Sequence, residues 1–143
     1  IRMIFPNSYI INCNRDPMDI CWSNYKQYYS SSNLGFAYNL KKWGQFYNLY
    51  NEYMKFWEKI LGEKNLLNIQ YENFTENFQD EVKKLLSFCD LSWSAKCVEF
   101  YKSKNSVSTA SLAQVRQPIY KSSVAAWENY SSYLEDLKSS LKN

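Results

Sequence analysis

The sequence predicts an α/β fold that is mainly helical, with a short two-stranded parallel sheet. Two short apolar runs, near 8–13 and 66–71, have the length and composition of buried strands. A long helical pattern over 36–61 separates them. The 143 residues include only three glycines and three prolines, which disfavours a turn-rich all-β fold.

The first elements are a strand and a helix that follow each other at once. Residues 8–13 form an apolar run with β-branched Ile10 and Ile11, typical of a strand covered on both faces. Asp16 is a good N-cap and Pro17 a good first helical residue, so a helix is expected from there to about Tyr29. The stretch "SSSNLG" is expected to be a loop.

The strongest pattern in the chain lies between residues 36 and 61. Large apolar side chains recur there in steps of four and three, which predicts one face of a long helix: Phe36, Leu40, Trp43, Tyr47, Tyr50, Met54, Trp57 and Leu61. Gly62 is expected to end the helix. Such an aromatic row could be a ligand platform, but its continuous helical period favours core packing.

A second strand is expected in "NLLNIQYENF", ending at Tyr71 and Glu72, with a helix over about 76–88 behind it. Two strands separated by a helical crossover form a βαβ arrangement and imply a parallel sheet. Two strands are too few for an independent α/β sheet. Either the chain is the C-terminal part of a larger sheet, or the helices carry the fold.

The rest of the chain is predicted to be helical around a long irregular segment. A short helix fits 94–102, and further helical pieces fit 121–127 and 131–142. Residues 103–120 are polar and irregular, and a loop of that length in a compact domain is usually functional or disordered. No internal domain boundary is evident, so residues 1–143 are expected to form part of one domain.

Composition limits the classes of function. The net charge of +3 suits a small anion better than a nucleic-acid duplex, and no apolar run reaches the length of a membrane span. The sequence has no histidine to serve as a base or metal ligand. Four cysteines without a CxxC pair are expected to be reduced, largely buried thiols of a cytoplasmic protein. The chain starts at Ile1 without Met, which suggests a piece of a longer protein.

One arginine stands where an anion is expected. Ligands of open parallel sheets bind beyond the carboxyl ends of the strands, and helix N-termini attract negative charge. Arg15 follows the first strand, and Ser23 lies about two turns into the next helix, so together they could hold a phosphate. The alternative is that Arg15 pairs locally with Asp16 or Asp19, and that Ser23 is a surface residue.

Three segments resemble the sulfotransferases that use 3′-phosphoadenosine 5′-phosphosulfate. "FPNSYIINCNRDPMDICWSNY" resembles the family's 3′-phosphate segment, in which an arginine and a serine eight residues later bind the phosphate; these are Arg15 and Ser23 here. "IQYENF" resembles the strand whose tyrosine contacts the adenine, which implies that role for Tyr71. "STASLAQVRQPIYKSSVAAW" resembles the C-terminal signature of bacterial sulfotransferases that often follow tetratricopeptide repeats, relatives of tyrosylprotein sulfotransferases.

The resemblance implies further roles and one absence. In the third segment Ser111 matches a nucleotide contact, and Arg116 stands where relatives place a basic residue on the phosphates. Asn14 replaces an arginine that many relatives carry, at a position of secondary importance. No "PKSGT"-like loop for the 5′-phosphosulfate is present, so the resemblance implies a truncated, P-loop-like sulfotransferase fold without catalytic residues of its own.

The implied parent enzyme transfers a sulfuryl group from 3′-phosphoadenosine 5′-phosphosulfate to a hydroxyl or amine, without a metal. This chain would carry the 3′-phosphate and adenine half of the donor site and would be inactive alone. Two other interpretations stay open, a non-catalytic helical interaction module and a fragment of a nucleotide kinase. No nucleic-acid or membrane partner is expected, and the edge of the truncated sheet invites self-association.

Overall fold

The computed structural model describes residues 1–29, 32–103 and 114–142, and the chain divides into two compact units. The sheet unit consists of Ile1–Asn14 and Lys64–Lys121, and the helical unit of Arg15–Glu63 and Ser122–Asn143. The chain therefore passes from one unit to the other three times. Each unit combines segments that are distant in the sequence.

The sheet unit contains the predicted parallel pair of strands. β1 (Ile10–Asn14) and β2 (Leu66–Gln70) pair in register, with Ile10 opposite Leu66. The prediction of a parallel pair is thus confirmed. The two strands differ in burial. β2 buries two side chains, whereas β1 alternates between half-buried and exposed positions. The expectation that the first strand is covered on both faces is therefore wrong.

Two helices follow β2 where one was expected. α3 (Tyr71–Glu76) begins directly after the strand, and α4 (Phe78–Phe88) follows after Asn77, whose φ of −118° and ψ of 45° interrupt the helix. Tyr71 is therefore the first residue of a helix and not the last of a strand. Val82 of α4 is buried in this unit.

Beyond α4, the described part of the sheet unit contains short 3₁₀ turns. The predicted helix over 94–102 is two such turns, Ala95–Cys97 and Phe100–Lys102, and a third spans Gln114–Arg116. The Ser94 hydroxyl caps the first of them. Most of the predicted irregular segment, including Ser111, lies outside the described residues.

The helical unit begins with α1 (Pro17–Tyr25), which carries the predicted N-cap and first-turn proline. A 3₁₀ turn, Ser32–Tyr38, occupies part of the expected loop. It leads into α2 (Leu40–Leu61), whose N-cap Asn39 accepts a hydrogen bond from the Lys42 amide at 2.9 Å. The long helix therefore starts four residues later than predicted, while Gly62, with a φ of +66°, ends it as expected.

The core of the helical unit joins α1 to the C-terminal segment. That segment forms a 3₁₀ helix, Ala126–Tyr133, and then α5 (Glu135–Ser140). Among the described residues, four side chains make up the buried core: Met18, Cys21, Leu134 and Leu137. The beginning of the predicted stripe on α2 packs against it through Leu40, Trp43 and Tyr47, whereas Trp57 near its other end is 44% exposed.

The four cysteines are free thiols, and their burial is less complete than expected. Cys21 is fully buried, Cys89 and Cys97 are half-buried, and Cys13 is exposed. Within the described residues no group of cysteine and carboxylate side chains is arranged to hold a metal ion. No helix in the described part of the chain is long and apolar enough to cross a membrane.

Candidate functional site

Arg15 lies at the start of the helical unit, one residue after β1 ends. Its guanidinium donates a hydrogen bond from Nη2 to the Ser123 carbonyl oxygen. The same Nη2 lies 3.8 Å from Oδ2 of Asp19, and 18% of the Arg15 side chain is exposed. The local ion pair weighed as an alternative is therefore present, together with a backbone contact 108 residues away in the sequence. Both contacts hold the Arg15 guanidinium at the junction between the end of β1 and the start of α1.

Asp19 is the most deeply placed charged side chain of this cluster, with 1% of its surface exposed. Its Oδ2 accepts a hydrogen bond from the Ala125 amide at 2.7 Å, and its Oδ1 accepts one from the Trp127 amide at 3.4 Å. Ala125 has a φ of +56°, a left-handed conformation that costs free energy in a residue other than glycine. The carboxylate thus holds a strained turn against α1.

The N-terminus of α1 carries negative charge of its own. Asp16 Oδ1 accepts the Asp19 amide at 3.0 Å, so one of the terminal N–H groups is bound by the cap. Asp19 pairs with the Arg15 guanidinium, and Asp16 adds a second carboxylate at the same helix terminus. An anionic ligand at this point would depend mainly on Arg15, because the helix terminus is already partly neutralised.

Cys21, in the next turn of α1, is a buried thiol without nucleophilic character. Burial, with a smaller contribution from the nearby charge of Asp16, raises the pKa of the Cys21 thiol to about 12. Since the thiolate is the reactive form of cysteine, the group stays protonated and unreactive at neutral pH. A buried, protonated thiol is a poor nucleophile, so Cys21 is not a candidate site residue.

Ser23 is on α1 one turn beyond Asp19, and its side chain is exposed. It belongs to the same unit as Arg15, and the proposed pairing of the two residues on the 3′-phosphate stays a prediction. An exposed hydroxyl can donate to a ligand without breaking an internal hydrogen bond.

Two predicted residues belong to the sheet unit. Tyr71 is half-buried at the first position of α3, and Arg116 is exposed at the end of the 3₁₀ turn Gln114–Arg116. Ser111 falls outside the described residues. The predicted roles of these three residues on the nucleotide stay predictions.

An open apolar cleft of about 250 Å³ lies elsewhere in the helical unit, between α1 and α2. Seven side chains line it, and none of these described residues is charged: Ile20, Cys21, Asn24, Trp43, Phe46, Tyr47 and Tyr50. The amide of Asn24 is engaged with the Ile20 carbonyl and the Tyr29 hydroxyl at 2.8 and 2.6 Å. A phosphate would find no cation in this cleft, so it does not compete with Arg15 as an anion site.

Comparison with known proteins identifies the family. A model of the sulfotransferase family matches residues 1–95. The chain belongs to the sulfotransferase family. The match covers two thirds of its length and includes β1, α1, α2, β2 and α4. Sulfotransferases generally use 3′-phosphoadenosine 5′-phosphosulfate as donor, and Arg15, Ser23 and Tyr71 lie within the matched range, whereas Ser111 and Arg116 follow it.

One relative is similar along almost the whole chain. An uncharacterized protein of Aquifex aeolicus (strain VF5) is 36% identical over 136 residues, which is 94% of this chain. The matched region is 18% of that protein, so the chain spans less than a fifth of the relative's length. The relative thus extends the likeness beyond residue 95 to the C-terminal segment.

Sequence reasoning missed the part played by Asp19. The spacing Arg15-x-x-x-Asp19 suggested a local ion pair, and the pair is present. The two amides that the carboxylate binds lie more than 100 residues away, and nothing in the local pattern pointed to them. A carboxylate that directly follows Met18 and precedes Ile20 in the sequence was the available signal, because such a group is buried only when it is paired.

Proposed function

We propose that this chain is the C-terminal part of a sulfotransferase domain and carries the 3′-phosphate and adenine side of its donor site. The parent protein would transfer a sulfuryl group from 3′-phosphoadenosine 5′-phosphosulfate to a hydroxyl or amine. Its nearest relatives would be the bacterial sulfotransferases associated with tetratricopeptide repeats. The observation that carries the proposal is the family match across the strand–Arg15–helix segment.

The position of Arg15 supports its role as the anchor of the 3′-phosphate. Asp19 and the Ser123 carbonyl hold its guanidinium at the helix entrance, so little side-chain entropy remains to be lost on binding. A planar guanidinium can grip phosphate oxygens in two places, and Ser23 adds a neutral hydroxyl donor. Because Asp19 occupies one side of the guanidinium, the phosphate would approach from another side.

Binding at this end would contribute to catalysis by positioning. Sulfuryl transfer in line needs the donor sulfur aligned with the acceptor oxygen or nitrogen, and contacts far from the sulfur fix the nucleotide in that orientation. Tyr71 would stack on the adenine, and Ser111 and Arg116 would contact the nucleotide from the C-terminal segment. The residues that neutralise charge on the sulfuryl group and accept the acceptor's proton would come from elsewhere in the parent protein.

The test is an NMR titration that observes the side chains of the arginines. The chain has three arginines, Arg2, Arg15 and Arg116, so their Nε–Hε signals form a small set that single Arg→Lys variants assign. Adenosine 3′,5′-bisphosphate should shift the Arg15 signal, and adenosine 5′-monophosphate should shift it far less. Arg2, which donates to the Ser8 carbonyl at 3.1 Å, is the internal control.

Each outcome of the titration decides between the proposal and its alternatives. A bisphosphate-specific shift at Arg15 supports the sulfotransferase role. Equal shifts at Arg2 and Arg15, or no shift at millimolar nucleotide, would contradict it and favour a non-catalytic interaction module. A preference for adenosine triphosphate over the bisphosphate would favour a nucleotide kinase fragment.

A further inference from the structure

α2 carries a second row of large apolar side chains beside the predicted stripe, and this row faces solvent. Its members follow steps of three and four along the helix and are each 50–60% exposed: Phe46, Leu49, Tyr53, Phe56 and Ile60. Trp57 flanks the row. We call this row the outer stripe. A 3-4-3-4 spacing along one helix is the pattern that pairs two helices side by side.

The area of the outer stripe is larger than a soluble monomer usually exposes. Side chains of this size present about 150–250 Å² when fully exposed, so these exposed fractions correspond to roughly 550 Å² in one copy. Contiguous apolar patches above a few hundred Å² usually mark interaction surfaces. Two copies joined through the stripe would bury about 1,100 Å² of it, which exceeds the approximately 1,000 Å² expected of a specific interface.

We propose that a second copy of this chain covers the outer stripe, with the two α2 helices packed antiparallel about a twofold axis. A symmetric pair of this kind buries the same patch of both copies. In the register that places Tyr53 opposite Phe56 of the second copy, Leu49 lies opposite Ile60. The twofold axis then passes near Met54 and Lys55, at the middle of the stripe.

Charge complementarity favours this antiparallel register. Glu52 and Lys59 border the stripe on the same side, seven residues apart, and both are exposed. In the register above, Lys59 of the second copy lies two residues beyond the position that faces Glu52, on the same side of the stripe. Long side chains span this offset, so two opposite-charge pairs can form. Glu52 also contacts Lys142 at 2.8 Å, and its carboxylate can accept from two cations. A parallel, in-register pair would instead place Glu52 beside Trp57 of the second copy, where it meets no cation.

The experiment measures the molar mass of the 143-residue chain by sedimentation over a range of concentrations. The wild-type chain is expected to dimerise, and Tyr53→Lys should raise the dimer dissociation constant at least about 100-fold, because each copy loses central apolar area and gains a charge. Tyr133→Lys is the matched control. Tyr133 is 79% exposed but lies outside α2, so its substitution should leave the dimer unchanged.

A charge exchange tests the register separately from the surface. Lys59→Glu should weaken the dimer about tenfold or more by opposing like charges at two symmetric positions, and Glu52→Lys combined with Lys59→Glu should restore it. Circular dichroism checks that each variant keeps its helix content.

Two results would overturn the proposal. The wild-type chain could stay monomeric at all concentrations, in which case another protein or another part of a longer chain covers the stripe. Alternatively, the dimer could survive Tyr53→Lys and be lost on Ile11→Lys, which would assign the interface to the sheet edge.

Discussion

Removing the charge of Asp19 should destabilise the helical unit more than any other carboxylate-to-amide change at the start of α1. The Asp19 carboxylate uses both oxygens, one for the Ala125 amide at 2.7 Å and one for the Trp127 amide at 3.4 Å. Asparagine offers only one oxygen, so its NH₂ group would face one of these donors. Arg15 would lose its ionic partner at 3.8 Å.

The expected magnitude follows from these contacts. A hydrogen bond to a charged group contributes about 1.5–3 kcal/mol, against about 1 kcal/mol for a neutral bond. Asp19→Asn keeps one neutral bond and should therefore cost about 1.5–3 kcal/mol of unfolding free energy. Asp19→Ala leaves the Arg15 charge partly buried without its carboxylate and should cost about 3–5 kcal/mol.

Urea denaturation followed by circular dichroism measures these changes, and Asp16→Asn is the matched control. Asparagine caps a helix about as well as aspartate, so the control should change stability by less than about 0.5 kcal/mol. Hydrogen exchange adds a local measurement, since the Ala125 and Trp127 amides should lose protection in Asp19→Asn. If Asp19→Asn were no more destabilising than Asp16→Asn, and both amides kept their protection, the reasoning would be refuted.

Four further outcomes are expected. Arg15→Ala should weaken binding of adenosine 3′,5′-bisphosphate by about 10- to 150-fold in calorimetric titration. An equal loss of affinity for adenosine 5′-monophosphate would show that the arginine stabilises the fold and does not bind the 3′-phosphate. The 143-residue chain, mixed with the donor and with hydroxyl acceptors, should show no sulfuryl transfer in a radiolabel assay, because its sequence has no phosphosulfate loop. Any turnover would contradict the prediction that the chain alone is inactive. At pH 8, iodoacetamide should label the exposed Cys13 and spare the buried Cys21, because the Cys21 pKa of about 12 keeps its thiol protonated. Peptide mass mapping measures the labelling of each cysteine, and equal labelling of the two would contradict the prediction. Gly44→Ala should lower the free energy of unfolding by about 1–2 kcal/mol, because the added Cβ would lie 1.9 Å from the Ser140 hydroxyl on α5. Gly35→Ala is the control, since its added Cβ would meet open space and should leave stability unchanged. Urea denaturation measures both changes.

Local signals explain which elements the sequence predicted. Asp16 and Pro17 define the start of α1 within a few residues, and Gly62 ends α2, because caps act through the adjacent backbone. The parallel pairing followed from two apolar runs joined by a helical crossover. The start of α2 at Leu40 could also have been predicted, since Asn39 is a favoured N-cap residue. The spacing of the apolar residues alone placed the start of the helix too early, at Phe36.

The features that the sequence did not predict depend on contacts between distant residues, or on small differences in stability between α-helix and turn conformations. The contact of Arg15 with the Ser123 carbonyl joins residues 108 apart, and no spacing rule predicts it. Around Asn77 and in 95–102 the apolar period suited an α-helix, but turn geometry at asparagine and short 3₁₀ bonding prevailed. Of the predicted nucleotide residues, Arg15 and Ser23 belong to the helical unit, whereas Tyr71 and Arg116 belong to the sheet unit, and no local pattern predicts that division.

The parallel sheet has a consequence for the rate at which the chain reaches its native state. β1 and β2 pair only after a segment of about fifty residues closes into a loop, which costs roughly 3–4 kcal/mol of chain entropy before any ladder hydrogen bond forms. α2 supplies 22 residues of that segment, and as a helix it is a rod of about 33 Å. A rod formed early removes those residues from the flexible part of the loop. Substitutions on the exposed surface of α2 that change its helix propensity should therefore alter the rate of strand pairing, although none of them touches a strand.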